Sequence, residues 1–197
     1  MPKRYFESLE EFEEYFRDVN EIIIDGTEMA TERPKDPDNQ RGKYSGKKST
    51  HTDLALVISD RGLWIYYVSM LYFGKNVDFG VLKKEFPPGE GWFRKKRVLV
   101  DLGFIGIAKL YDILELVIGV KRKKKSKSNP KPKLTEEQKE HNRTVSRERI
   151  YVEHAIGRIK IFRILKNRCR LKSEMWKNRI LGICAGLWNY KLLLKCC

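Results

Sequence analysis

The chain has 197 residues, 41% of them apolar, with 41 Lys and Arg against 26 Asp and Glu and a formal net charge of +15. Length and apolar content exclude a disordered chain and suit one domain with a sizeable core. The charge sets up a field that attracts polyanions and releases their counterions on binding, a property that a nucleic-acid enzyme shares with a merely basic or ribosome-associated protein.

Acids crowd the first nineteen residues, where Glu7, Glu10, Glu11, Glu13, Glu14 and Asp18 outnumber Lys3, Arg4 and Arg17, so the remainder is more basic than the average. Leu9, Phe12, Phe16 and Val19 fall at helical intervals there and predict a short amphipathic helix or linker over residues 1–19, covering the core or joining an upstream module. Residues 20–197 read as the main domain. Ile22-Ile23-Ile24 predicts a first strand closing at Asp25, with Gly26 allowing a turn or a close approach just beyond it. Residues 31–50, with Pro34, Pro37, Gly42, Gly46 and several cations, predict an ordered loop or a substrate arm.

Leu54 to Ser59 and Leu63 to Met70 flank the turn signal Asp60-Arg61-Gly62 and predict a hairpin. Val77 to Phe86 predicts a helix stopped by Pro87-Pro88, and Arg97 to Val100 a fourth strand closing at Asp101. A helix over Ile107 to Leu114, a fifth strand over Leu116 to Val120 and a basic loop over Lys121 to Pro132 follow. Lys121 to Lys127 holds six bases in seven positions, suited to DNA or to a solvated loop. Thr135 and Gln138 have capping-box spacing and open a helix extending to about Leu165; Glu174 to Leu194 forms the last helix, with Trp176, Trp188 and Leu192 to Leu194 read as core. Three antiparallel strands, then helix, strand, helix, strand and helices is the order of an α/β, RNase H-like five-stranded mixed sheet flanked by helices, in which the first and fourth strands are neighbours.

That order makes Asp25 and Asp101 neighbours, and Glu153, inside the basic helix, can pack across both strand ends. Hard cations such as Mg²⁺ choose oxygen ligands and keep several waters, so such a trio around an open face suits phosphate chemistry. Arg149, Glu153 and Lys160 share one helix face at 100° per residue, so cations flank the carboxylate. Each piece also has a plain structural reading: Asp25-Gly26 as a turn, Asp101 with Gly103 and Gly106 as a strand-to-helix loop, Arg149 as a surface partner of Glu153, His51 as a loop-stabilising side chain. His154 points about 100° from the glutamate and is left out of the chemistry.

Asp25-Gly26-Thr27-Glu28, Tyr44-Ser45-Gly46-Lys47-Lys48 with His51-Thr52, Asp101-Leu102-Gly103-Phe104-Ile105-Gly106, and Asn142-Arg143 followed by Arg149, Glu153 and Lys160 in Arg-x3-Glu-x6-Lys spacing resemble the DDE transposases of bacterial insertion sequences over about residues 20–190. The resemblance implies an RNase H-like domain in which Asp25, Asp101 and Glu153 bind two divalent ions, Mg²⁺ or alternatively Mn²⁺, to cut transposon ends and join them to target DNA. It implies DNA contacts from Arg149, Lys160, Lys47, Lys48, His51, Asn142 and Arg143, and a homodimer that pairs two DNA ends. Ser146 stands where the fuller signature has Tyr. The helix-turn-helix that precedes the family's catalytic domain has no counterpart before Asp25, which leads us to expect a truncated chain or a separate polypeptide that recognises the ends. A structure-selective nuclease and an inactive, domesticated DNA-binding derivative share much of this pattern.

Cys169, Cys184, Cys196 and Cys197 lack paired metal-ligand spacing and read as reduced thiols. No signal peptide opens the chain, and the apolar stretch Ile180 to Tyr190 is too short to span a bilayer. A cytoplasmic, nucleoid-associated protein with no membrane partner is expected.

Overall fold

The computed structural model describes residues 1–123 and 132–195. Most of the Lys121 to Lys127 run, and Cys196 and Cys197, lie outside the described residues.

Helix α1 (Leu9–Tyr15) starts where the Ser8 hydroxyl accepts the Glu11 N–H. It lays Phe12 and Phe16, both fully buried, into an aromatic layer with Phe6, Tyr67, Phe86 and Trp92. The amphipathic N-terminal segment therefore belongs to the core. Strand β1 (Glu21–Ala30) is longer than the sequence suggests: Asp25 lies in its middle, because β1 keeps pairing antiparallel with β3 (Thr50–Ser59) from Ile23 opposite Ser59 to Ala30 opposite Thr52.

The 31–50 segment is ordered. It contains α2 (Pro37–Lys43), capped by Asp36 with Pro37 at the first turn, and β2 (Tyr44–Ser45), which pairs with the start of β3 around a four-residue loop closed by Ser49 at φ 52°. The outer edge of β3 also carries β4 (Ile65–Val68) and β5 (Tyr72–Phe73). After α3 (Asp78–Glu85), β6 (Arg97–Leu99) enters parallel to β1, and β7 (Glu115–Val117) pairs parallel to β6. The main order is β2-β3-β1-β6-β7, a mixed sheet of seven strands rather than five, the extra two being two-residue strands.

The helix expected over Ile107 to Leu114 is replaced by two 3₁₀ turns, Leu102–Phe104 and Ile107–Lys109. Asp101 caps the first through the Gly103 N–H, and Gly106 at φ 97° breaks the path between them, so no run is long enough to nucleate an α-helix.

The capping box of Thr135 and Gln138 opens α4 (Glu136–Ile159), which stops six residues short of Leu165; a separate turn, α5 (Arg163–Lys166), follows. The chain must reverse there, since Cys169 returns to bridge Thr31 at the end of β1. Helix α6 (Glu174–Leu193) closes the fold.

Alternation along β1 splits the core. Ile22 and Ile24 pack with α1 and α3, while Ile23 and Met29 pack with Val152, Ile156 and Trp188 of α4 and α6. Trp188 is buried, but Trp176 is 50% exposed under the Arg179 guanidinium, and Leu193 and Leu194 are also exposed; the core assignment fails for these three. Cys169 and Cys184 are buried free thiols.

If α1 is part of the core, Phe12→Ala is expected to cost about 3–5 kcal/mol in urea unfolding. A loss below about 1 kcal/mol would show a detachable helix.

Candidate active site

Beyond Ile23 and Leu99, β1 and β6 no longer pair, so one edge of β1 opens just where Asp25 emerges and β6 runs into Asp101. Crevices beyond the carboxyl ends of parallel strands are common binding sites in α/β sheets. Asp25 points toward α4: its Oδ1 accepts the Gly26 N–H at 2.8 Å and its Oδ2 the Arg149 guanidinium at 3.4 Å.

Burial, aided by the charges of Asp101 and Asp78 and opposed by Arg149 and the Gly26 N–H, pushes the Asp25 carboxyl up to about 6. Asp101 spends one oxygen on the Gly103 N–H at 2.6 Å. A desolvated carboxylate with like-charged neighbours lacks positive charge, and the donors are all hard oxygens. Asp25 and Asp101 therefore fit a divalent cation such as Mg²⁺. Among the described residues, however, no three His, Cys, Asp or Glu side chains are grouped closely enough to hold a metal ion.

Glu153 is the acid that stays outside. Helix α4 is fixed on the sheet by Glu148, which pairs with Arg61 at 3.0 Å and Arg97 at 2.9 Å, by Arg149 on Asp25, and by Lys160 on the Glu28 carbonyl at 3.2 Å. Glu153 lies on the turn after Arg149, between the two cationic contacts with β1, and its side chain is exposed. Arg149 thus pairs with Asp25 and not with Glu153. Arg149 and Lys160 face inward, and burial lowers the Lys160 ammonium's pKa.

The remaining candidates divide. Lys47 and Lys48 sit on the β2–β3 loop; Lys47 acts electrostatically on Asp78, and Lys48 on Lys160. His51 packs edge-on against Tyr44 at 5.7 Å. Arg143 is exposed and pairs with Glu140. Asn142 braces the chain after β7 against α4: its amide accepts the Val120 N–H at 2.7 Å and donates to the Val120 carbonyl at 3.0 Å.

Asp78, the first residue of α3, was missed. Its carboxyl lies against Gly26, where a Cβ would collide with it, and it is raised mainly by desolvation beside Asp101 and Glu28. From sequence alone it is an ordinary first-turn acid; only the glycine next to Asp25 hinted that something approaches there.

A profile of the DDE superfamily endonucleases matches residues 24–189. The chain belongs to this family. A curated relative, described as a probable transposase for insertion sequence element IS702 of Microchaete diplosiphon, is 36% identical over 177 residues, covering 89% of this chain. The chain spans 59% of that relative's length. No solved structure matches it. Among the described residues of this DDE-family chain, no helix is long and apolar enough to cross a membrane.

Because the folded state holds the Asp25 proton more tightly than the unfolded chain, this group favours folding below its ordinary 3.8, a contribution lost as pH rises through about 6. In EDTA, Asp25→Asn should match the wild type near pH 4 and exceed its stability by about 1–3 kcal/mol at about pH 7 in urea titrations. An unchanged difference between the two pH values would contradict a buried, uncompensated charge.

Proposed function

We propose that this chain is the RNase H-like catalytic core of an insertion-sequence transposase, cutting DNA at the element's ends and joining the freed 3′ ends to target DNA. The observation that carries the reading is the largely buried Asp25 carboxylate, 15% exposed, at the edge of β1 that opens beside β6 and Asp101, in a strongly basic protein. Family membership and the transposase relative support it.

Asp25 and Asp101 would hold divalent metal, with Glu153 as a third ligand from the α4 rim once cation and DNA are bound. The cation supplies Lewis acidity toward the phosphodiester and its attacking oxygen. Around it, the chain's own residues orient. Arg149 fixes the rotamer of Asp25, while Lys160 anchors the far end of α4 to β1. Lys47 and Lys48, on a loop above the same edge, offer ammonium groups to the phosphates flanking the scissile bond. Asn142 keeps the α4 turn that carries Arg143 against the end of the sheet. Pairing of two copies across two DNA ends completes the proposal.

The test is incubation of the purified chain with Mg²⁺ and DNA carrying the inverted repeats that flank its gene. Cleavage with joined products is expected, and Asp25→Asn or Asp101→Asn should reduce it by about a hundred-fold or more. Cleavage without joining would favour a structure-selective nuclease; binding alone, equal in wild type and variants, would overturn the enzyme reading. Gly26→Ala, which displaces the Asp78 carboxyl, should reduce cleavage while leaving the melting temperature within a few degrees of the wild type. Full activity in that variant would remove Asp78 from the site.

A further inference from the structure

Where β1 ends, a second concave region of about 570 Å³ opens between the segment leading into α2 and the segment leading into α6. The Thr31–Cys169 bridge ties these distant segments together, with the Cys169 N–H on the Ala30 carbonyl at 2.7 Å. The rear wall is a closed, charge-balanced network in which Lys43 and Lys177 each contact Asp53 and Glu174 at 2.6–3.2 Å. The mouth is not balanced. Lys35 and Lys172 have no ion-pair partner among the described residues, Arg33 is held only by the neutral Gln40 amide, and the single mouth carboxylate, Glu32, is offset by Arg170 at 3.9 Å.

Two further observations point to a ligand. The Thr31 hydroxyl, on a residue 3% exposed that lines the cleft, has no hydrogen-bond partner among the described residues. Phe73, 40% exposed, and Leu171 put apolar surface beside the cations.

We infer that this cleft holds an unpaired nucleotide of single-stranded DNA, its base against Phe73 and its phosphates on Lys35 and Lys172. Positive charge interleaved with an aromatic face is the general recipe for single-strand binding, since every base has a π-face and every phosphate a charge. The volume is that of a small-molecule pocket, suited to one nucleotide rather than a duplex. The inference rests on the proposed catalytic reading for its direction. Thr31 lies six residues beyond Asp25 on an extended path, about 20 Å at ~3.3 Å per residue. Lys160 and Lys48 are passed on the way. A strand cut at Asp25 would reach the cleft about six stacked nucleotides from the scissile phosphate, at ~3.4 Å each.

The probe is a fluorescein-labelled dT12 strand, titrated against the whole chain in EDTA and read by anisotropy over a range of NaCl concentrations. A duplex of equal length is the comparison. Lys35→Ala with Lys172→Ala should weaken dT12 binding and reduce the log K against log salt slope by about 1.4, at ~0.7 per phosphate contact. Phe73→Ala should weaken it about ten-fold with the slope unchanged. Lys191→Ala, on the far end of α6, should change neither by more than one contact's worth. Circular dichroism checks that the variants fold, and the exposed, unpartnered lysines give no reason for them not to. Unchanged dT12 affinity and slope in the double variant, or equal losses for dT12 and duplex, would overturn the inference. Mg²⁺-dependent cleavage on the same preparations separates the two readings. Cleft-dependent dT12 binding without cleavage sinks the catalytic reading alone; cleavage with cleft-independent binding sinks this one alone.

Discussion

A carboxylate kept in the protein with too little positive charge around it organises this molecule. Asp25 is buried by the packing of α4 on β1, it shares its surroundings with Asp101 and Asp78, and its protein-supplied compensation is one backbone N–H and a 3.4 Å contact to Arg149. An arrangement that destabilises the folded chain at neutral pH persists where the missing charge is to be supplied from outside. Everything else keeps that carboxylate in place. The long β1–β3 ladder fixes its backbone, the early end of the β1–β6 pairing opens one side of it, and the Glu148 pairs with Arg61 and Arg97 hold α4 over it.

The same packing gives Arg149 and Lys160 contacts with β1, to the Asp25 carboxylate and the Glu28 carbonyl. Among the described residues, further cations without an ion-pair partner lie on the Lys47-Lys48 loop and at the mouth of the cleft beyond Thr31. Catalysis and strand guidance would then use different cations, connected by one continuous strand, β1.

Much of this was legible in the sequence, where short-range chemistry dictates the outcome. The Asp60-Arg61-Gly62 turn, the Thr135 capping box and the stop at Pro87 are set by neighbours within a few residues, and each is found where the residues put it. The neighbourhood of Asp25 and Asp101 followed from strand order. What was not legible depends on distant packing. Gly106 in a left-handed conformation removed a helix that periodicity favoured, and pairing with β3 carried β1 five residues past Asp25. Periodicity put Glu153 on the face of Arg149 but could not say that Arg149 would turn to the sheet and leave Glu153 at the rim. Asp78 and the cleft were invisible because each joins segments far apart in the chain.

The most direct test is a ¹³C NMR titration of the Asp25 carboxyl, assigned by its loss in Asp25→Asn, with and without Mg²⁺. The account predicts a midpoint near 6 without metal, falling well below the ordinary carboxylate value when Mg²⁺ is added. A metal-free midpoint near 3.8 that Mg²⁺ leaves unmoved would mean that this carboxylate is neither strained by burial nor reserved for a cation.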